Sequence, residues 1–327
     1  MGNTQLRIFW YRLGRMLLRL FDASVALAAV GMAAFTVGLL FARLHWMVDN
    51  AASFELVYFP ASVVVLLLVI VRRKRALIAM AGVLTVYHAF LVLPYYVSMP
   101  QARAGDSTFR IMSANLQWDS GNPRRVYEVI EQENPDILAL QEVTPSRLQE
   151  LERLRKTYPY WAHCVGENML GIALLSRTSL TNGDRQWVTH GVYPTLIADL
   201  ELHKRKVSIL LTHTVPPFSA EWAALRDKQL ADIGARIFAL NGTSIIVGDL
   251  NATMWTPSFG DLLRKAALSN ARNGFGVLPT YSSGMKRLVP IDHVLFRGEL
   301  TVTACRVGPE MGSDHRALIV DLALTSP

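Results

Sequence analysis

The sequence predicts an α/β fold of two packed sheets with helices outside, preceded by a hydrophobic membrane anchor. Three long apolar runs fill most of the first hundred residues. About nine shorter apolar or β-branched runs follow between residues 109 and 324, separated by Gly, Pro, Asn and Asp, which is the pattern of β-strands and turns. Helical patterns lie between these strands, and such an arrangement is typical of packed sheets covered by helices.

The three apolar runs are each long enough to cross a bilayer, whose hydrocarbon core takes roughly 20 helical residues. The first contains only Ser24 and Thr36 as polar residues, the second is interrupted by Glu55, and the third contains His88 and several tyrosines. The predicted spans are residues 23–42, 54–71 and 76–99, within an anchor at 1–99 that is followed by a linker at 100–107 and a catalytic domain at 108–327. Buried helices of a soluble protein are the disfavoured alternative.

The distribution of basic residues predicts the membrane orientation. Basic side chains precede the first span and fill the loop between the second and third, namely Arg7, Arg12, Arg15, Arg19, Arg72, Arg73, Lys74 and Arg75. The loop at 43–53 has one arginine. The positive-inside rule then places the N-terminus in the cytoplasm and the domain outside it, in the periplasm if the membrane is a bacterial inner membrane. Residues 4–20 could also lie along the membrane surface as a cationic amphipathic helix.

The net charge of +7 belongs almost entirely to the anchor. Residues 1–100 contain nine Lys and Arg against three acidic residues, whereas the remainder contains 24 against 23. A domain that grips duplex DNA nonspecifically usually has a basic excess. The charge therefore disfavours such binding.

The two cysteines, Cys164 and Cys305, both lie in the exported part. An oxidising compartment permits a disulfide between them. Two separate buried thiols are equally compatible with the sequence, so their pairing stays open.

Helix start signals are present at two places in the domain. Asn122 is a good N-cap with Pro123 in the first turn, and Thr144-Pro145 begins a second helix. A longer amphipathic helix is predicted at 219–240.

Polar side chains occur where the predicted strands end or begin. They are Asn115, Gln141, Glu142, His213, Asp249, Asn251, Asp314 and His315. Each one alone is an ordinary turn residue. If neighbouring strands run antiparallel, however, the end of one strand and the start of the next share a rim, so these acids, amides and imidazoles are predicted to converge.

These residues resemble motifs of the endonuclease/exonuclease/phosphatase superfamily, which includes DNase I-like nucleases, inositol polyphosphate phosphatases and neutral sphingomyelinases. The matching segments occur in the family's order: Met112–Leu116, Leu140–Glu142, Leu174–Arg177, Thr212–His213, Gly248–Ala252, Ile291–His293 and Ser313–His315. The three spans in front are similar to the bacterial membrane-anchored, YafD-like members. The resemblance implies a four-layered αββα sandwich of DNase I-like type.

The resemblance also implies a Mg²⁺ or Mn²⁺ site. Glu142 is the expected direct metal ligand, with Asn115 and Asp314 beside it. Hard carboxylate and amide oxygens suit these ions. Asp249 is expected to orient or deprotonate the attacking water, and Asn251 to hold that water or the phosphate.

The remaining expected roles concern the histidines and the substrate. His315 is expected to contact the phosphoryl oxygens or transfer a proton, with Asp292 fixing its tautomer. His213 is a further expected phosphate contact, and Asn115 and Asn251 are also expected to bind the substrate. Gln141, Arg177 and Asn168 are expected either to contact the substrate or to support the residues that do. His293 is predicted to point away from the site because side chains alternate along a strand.

The sequence thus favours a membrane-anchored, metal-dependent phosphoric ester hydrolase acting on a lipid head group or a small phosphorylated molecule. One alternative is an exported, membrane-tethered nuclease. Another is an inert binding or scaffolding protein, which would be expected to lack a ligand or base. The expected partners are the phosphate-ester substrate and the lipid bilayer, and no obligate protein partner is inferred.

Overall fold

The structure is a computed structural model that describes residues 2–97, 107–118, 122–167, 170–189, 191–282 and 287–325. The chain divides into two compact units, Met1–Val92 and Leu93–Pro327. The predicted linker lies outside the described residues apart from Ser107, as does the predicted end of the third span at 98–99.

The first unit is helical. Its helices are α1 (Gly2–Leu39), α2 (Trp46–Ala51), α3 (Glu55–Val71) and α4 (Arg75–Val92). Three helical stretches are long and apolar enough to cross a membrane: Thr4–Leu39, Trp46–Val71 and Arg75–Tyr96. Residues 4–20, which could also lie along the membrane surface, belong to the same unbroken helix α1 as residues 23–39 of the predicted first span.

A chain of polar side chains joins the three candidate spans. The Nδ1 atom of His88 lies 2.6 Å from Glu55 Oε2, and its Nε2 atom lies 3.1 Å from Thr36 Oγ1. All three side chains are buried. Ionisable groups in membrane helices usually face the bundle interior and pair with one another, so this chain fixes which helix faces meet.

The second unit contains two six-stranded sheets. Its strands are β1 (Ser107–Asn115), β2 (Ile137–Val143), β3 (Tyr160–Cys164), β4 (Gly171–Ser176), β5 (Leu180–Thr189), β6 (Tyr193–Leu202), β7 (Arg205–His213), β8 (Thr243–Asp249), β9 (Ser269–Asn270), β10 (Tyr281–Ser282), β11 (Arg287–Val289), β12 (Asp292–Arg297), β13 (Leu300–Val307) and β14 (Leu318–Leu324). The sheet orders are β13-β14-β1-β2-β4-β3 and β5-β6-β7-β8-β12-β9, and β10 pairs with β11. Strand pairs β1/β2 and β7/β8 are parallel, and the other pairs are antiparallel.

Helices cover the outer faces of the two sheets. They are α5 (Pro123–Glu133), α6 (Pro145–Leu151), α7 (Ala220–Phe238) and α8 (Pro257–Ala266). The predicted N-caps are present, since Asn122 and Thr144 each accept a backbone N–H of the first turn. Alternate strand residues face the other sheet or the helices, which gives a core between the sheets and an outer core where α5 and α6 pack on the sheet that contains β1 and β2. The predicted mixed α/β fold of DNase I-like type is confirmed.

Both cysteines contribute to the core between the sheets. Cys305 is buried in it, and Cys164 packs against it. The two thiols are free, which answers the question that the sequence left open.

Strand register brings the polar strand ends to one rim. Asn115 lies beside Gln141 across the parallel pair β1/β2, and His213 lies beside Asp249 across β7/β8. Asp292, the first residue of β12, lies opposite Asp249. The two central parallel pairs therefore end at the place where β12 and β14 begin.

A glycine allows the close approach of β7 and β8 at this rim. Gly248 has a φ of 136°, and a Cβ atom there would lie 1.9 Å from the carbonyl oxygen of Thr212. No side chain fits such a space. The glycine before Asp249 is thus required by the backbone geometry that positions the acid.

Candidate active site

Glu142 is presented by an irregularity in β2. Strand pairing shifts between Gln141 and Val143, and Glu142 has a φ of 56°. Left-handed backbone is uncommon for a residue with a Cβ atom and occurs often at functional sites. Its Oε2 atom accepts the backbone N–H of Trp118 at 3.0 Å, and its Oε1 atom accepts Asn115 Nδ2 at 2.8 Å. The carboxylate is therefore held in one orientation.

Asn115 joins two carboxylates as a hydrogen-bond donor. Its Oδ1 atom accepts the backbone N–H of Gln117 at 3.0 Å, and that contact determines which side of the amide is oxygen. Its Nδ2 atom donates to Glu142 and, at 3.3 Å, to Asp249 Oδ2. The expected role of Asn115 as an oxygen ligand for metal does not fit this arrangement, because the amide presents its nitrogen to the acids.

Asp249 is buried and has a pKa suited to proton transfer. Burial and the negative charge of Asp292 raise the pKa of Asp249 to about 7, against the opposing influence of His315. Its Oδ1 atom accepts the backbone N–H of Asn251 at 2.9 Å. A general base works best when its pKa lies near the ambient pH.

Asn251 lies two residues after Asp249 in a strained turn, and its own φ is 43°. Its Nδ2 atom donates to the carbonyl of Thr214 at 2.8 Å, and its own carbonyl accepts Arg226 Nη1 at 3.2 Å. Two neighbouring segments therefore fix both the side chain and the backbone of Asn251.

His315 and Asp292 form a buried hydrogen-bonded pair. His315 Nδ1 lies 2.9 Å from Asp292 Oδ2. Burial lowers the pKa of His315, but the charge of Asp292 and this hydrogen bond outweigh burial and raise it to about 10. For Asp292 the directions are reversed: burial raises its pKa, but the charge of His315 and the hydrogen bond from His315 outweigh burial and lower it. His315 is thus a cation at neutral pH and directs its Nε2 side towards Asp249 at 3.7 Å.

His213 is a neutral imidazole beside the acids. Burial lowers the pKa of His213 to about 4, although the charge of Glu142 opposes this. Its Nε2 atom lies 3.7 Å from Asp249 Oδ2 and 3.9 Å from Glu142 Oε1. Both separations exceed hydrogen-bond length, so His213 lies beside Asp249 and Glu142 without a hydrogen bond to either carboxylate. Tyr193 packs edge-on against the ring at 5.5 Å.

The acids near Glu142 fit a hard divalent cation. The pKa of Asp314 is raised above its ordinary value, because burial and the negative charge of Glu142 outweigh the opposing charge of His315. A cation between these carboxylates would offset their repulsion, and oxygen ligands suit Mg²⁺ or Mn²⁺.

A second group, Asp249, Asp292 and His315, has ligand atoms within 4.8 Å of one another. Within this group the Asp292–His315 hydrogen bond accounts for one of the short distances, and Asp249 Oδ2 lies 3.7 Å from His315 Nε2. A histidine that keeps its proton cannot bind a metal, so the pairing with Asp292 disfavours His315 as a ligand and leaves the carboxylates as the candidate ligands.

Arg177 lies away from this rim. It follows Ser176, which pairs with Ile137 at the opposite end of β2 from Glu142. Its guanidinium contacts Asn134 and lies 3.5 Å from Asp136 Oδ1. The expectation that Arg177 contacts the substrate here is not supported by its position. Asn168 lies outside the described residues.

Three residues around the site were not predicted from the sequence. They are Tyr193, which packs on His213, Tyr281, whose ring lies 4.8 Å from His315, and Arg226, which holds Asn251. Arg226 did carry a signal, because a charged residue occupies the apolar stripe of α7 one turn from Trp222 and Leu230. The tyrosines carried none.

The fold and this rim together define a double-sheet α/β protein with a carboxylate and imidazole centre. The model of the Endonuclease/Exonuclease/phosphatase family matches residues 112–315. The chain belongs to this family, whose members are generally phosphoester hydrolases and typically depend on a divalent metal. No curated protein matches the sequence.

Solved structures with the same fold share little sequence with the chain. An endonuclease/exonuclease/phosphatase from Beutenbergia cavernae is 19% identical over 67% of this chain and 72% of that chain, with a TM-score of 0.57. D. rerio TDP2, solved with a single strand DNA product, is 18% identical over 66% and 99%, with a TM-score of 0.56. A Bacteroides vulgatus endonuclease/exonuclease/phosphatase is 18% identical over 67% and 99%, with a TM-score of 0.53. At these identities the likeness establishes the fold alone.

Proposed function

We propose that the chain is a membrane-anchored, divalent-metal-dependent phosphoesterase that hydrolyses a phosphodiester or phosphomonoester by attack of water. The convergence of Glu142, His213, Asp249 and the Asp292–His315 pair at one rim carries this proposal. These groups supply a general base, a protonated imidazole and a carboxylate that can bind a metal ion, all at the same rim.

The protonation states divide the roles. Asp249, with a pKa of about 7, accepts the proton of the attacking water. His315, protonated and held by Asp292, offsets negative charge on the phosphoryl oxygens. Asn251 and neutral His213 position the water or the phosphate.

Glu142 and Asp314 would hold Mg²⁺ or Mn²⁺. When bound, such an ion polarises a phosphoryl oxygen and stabilises developing charge. Asn115 and the Trp118 backbone keep Glu142 in place for this purpose.

Aromatic side chains at the rim favour a substrate with an apolar part. Tyr193, which packs on His213, contacts Trp222, and Trp222 contacts Phe218, with ring centroids 6.4 and 6.2 Å apart. Phe218 is 75% exposed, and Trp118 beside Glu142 is 57% exposed. With the near-neutral domain, these surfaces favour a lipid head group or a small phosphorylated molecule.

A membrane-tethered nuclease is the second candidate. Exposed aromatic rings also stack on bases, and the fold is shared with TDP2, which was solved with a single strand DNA product. An inert binding protein is less well supported, because the proposed ligand, base and histidine pair are all present.

A substrate panel tests the proposed function. The full chain in detergent is treated with chelator, and Mg²⁺ or Mn²⁺ is restored with phospholipids, inositol phosphates, a chromogenic phosphodiester or single- and double-stranded DNA. We expect metal-dependent hydrolysis of the lipid or small-molecule class, and none by the matched Glu142→Gln variant. Hydrolysis confined to DNA would establish the nuclease alternative, and full activity without metal would overturn the proposed chemistry.

We further propose that the N-terminus is cytoplasmic, that the spans lie in the cell's inner membrane and that the catalytic domain is extracytoplasmic. The basic residues before the first span and between the second and third support this orientation. Alkaline phosphatase fused after Pro327, which requires export for activity, should be active, and a cytoplasmic reporter fused at the same place should be silent. The reverse pattern would refute the orientation.

A further inference from the structure

The loop that carries Asn251 is held mainly through its backbone. In this Asn251 loop (residues 250–256), Leu250 donates its N–H to the Ile291 carbonyl at 2.9 Å. The carbonyl of Ala252, two residues later, lies 2.9 Å from His293 Nε2. Because His293 points away from the catalytic rim, it supports the loop from behind.

His293 is in turn held by a buried arginine. Arg272 Nη1 lies 3.2 Å from His293 Nδ1, so the two ring nitrogens of His293 face different partners. The same guanidinium donates to the carbonyls of Val277 and Leu278 at 2.8 and 3.1 Å. Residues 272–278, the Arg272 loop, are therefore connected to the Asn251 loop through His293.

The segment after α4 contacts both loops. Residues 93–97, the connecting segment, belong to the same compact unit as the sheets. The carbonyl of Tyr95 accepts the N–H of Gly276 at 2.7 Å, and the ring of Tyr95 packs edge-on against Trp255 at 6.5 Å. Gly276 belongs to the Arg272 loop and Trp255 to the Asn251 loop.

A glycine at this junction indicates close packing. Gly276 has a φ of 104°, and a Cβ atom there would lie 2.9 Å from Cε1 of the Tyr96 ring. A larger residue would therefore be strained and would displace the connecting segment. The backbone hydrogen bond of Gly276, the ring contact of Trp255 and the tight space at Gly276 are three separate observations of the same interface.

We infer that the connecting segment is a working part of the catalytic domain and that Tyr95 is a positioning residue for Asn251. The ring of Tyr95 acts through Trp255, and its backbone carbonyl holds Gly276 on the other side of the His293–Arg272 support. The inference rests on the proposed function for its catalytic consequence. It means that the link to the membrane also sets the geometry of the site.

The test uses the full chain in detergent, with Tyr95→Ala, Tyr95→Phe and Val97→Ala. Val97 is exposed in the same segment and serves as the matched control. We expect Tyr95→Ala to lower kcat by about 10- to 100-fold with little change in KM, since small displacements of positioning groups act on the chemical step. Tyr95→Phe, which keeps the ring, should restore the rate.

Hydrogen exchange provides a readout that needs no substrate. Tyr95→Ala removes the ring but keeps the carbonyl, so it should raise deuterium uptake in residues 250–256. Gly276→Ala, which displaces the connecting segment, should raise uptake in residues 250–256 and 272–278, and in both variants the strands β1 and β2 should stay protected. Unchanged uptake in both loops, or raised uptake with an unchanged kcat, would overturn the inference. If Tyr95→Ala raises uptake throughout the domain, Tyr95→Leu, which keeps bulk without the aromatic edge, decides between the outcomes. If the wild-type chain hydrolyses none of the substrates, the proposed function is wrong. The packing of the connecting segment on the two loops would still be tested by hydrogen exchange, which needs no substrate.

Discussion

Replacement of Glu142 by alanine should abolish metal-dependent turnover, with a loss of about 10³-fold or more. Metal stabilisation of a phosphoryl transition state contributes several kcal/mol, and about 1.4 kcal/mol corresponds to a tenfold change in rate. Glu142 is the best-held carboxylate of the rim, with Trp118 and Asn115 each donating to one of its oxygens. The measurement is kcat as a function of Mg²⁺ concentration.

Glu142→Gln separates loss of the metal from loss of the local fold. Its amide oxygen can still accept the Trp118 N–H, but its NH2 group cannot accept from Asn115, and the side chain no longer carries a charge. We expect this variant to stay folded, with an unfolding temperature within a few degrees of the wild type, and to require far more Mg²⁺ for any residual activity. Undiminished activity at low Mg²⁺ would remove Glu142 from the ligand set.

Replacement of His315 by alanine should lower kcat by about 10²- to 10⁴-fold, the range for loss of a group that acts on the proton or charge of the transition state. Asp292→Asn should cost far less, about tenfold, because the imidazole stays in place and only its support is weakened. His163, which is exposed on β3, provides the control, and its replacement by alanine should leave the rate unchanged. Equal losses for His315→Ala and Asp292→Asn would give Asp292 a direct role.

The pH profile of Asp292→Asn gives a second readout. The pKa of His315 is raised to about 10, so its proton is retained through neutral pH and lost as the pH rises through that value. Removing the Asp292 charge lowers the pKa of His315, and the alkaline limb of activity should move to lower pH. An alkaline limb at the wild-type position would show that His315 does not need its proton.

The sequence predicted most of the sheet framework because the central strands are apolar on both faces. The nine predicted strands correspond to β1, β2, β4, β6, β7, β8, β12, β13 and β14. β5 escaped prediction because its pairing with β6 shifts between Thr181 and Arg185, which breaks the alternation of apolar residues. The helix α8 was also not predicted. It has a Thr-Pro start, but it is only ten residues long and contains Gly260, which weakens its helical pattern.

The polar rim could be predicted as a set, but individual orientations could not. Whether Asn115 presents oxygen or nitrogen depends on the backbone N–H of Gln117, which has a left-handed φ of 54°. Arg177 matches a family motif, yet the antiparallel pairing of β4 with β2 carries it to the other end of the sheet. The hydrogen bond between Glu55 and His88 could not be predicted either, since the two residues are 33 positions apart in the sequence.

The order of the strands has a consequence for biosynthesis. The last strand, β14, pairs with β1 and follows directly after Asp314 and His315. A ribosome-bound chain therefore carries Glu142 and Asp249 long before it carries the histidine that completes the proposed centre. The helices that are long and apolar enough to cross a membrane precede the catalytic residues in the chain, so the proposed anchor would be synthesised before the proposed centre is complete.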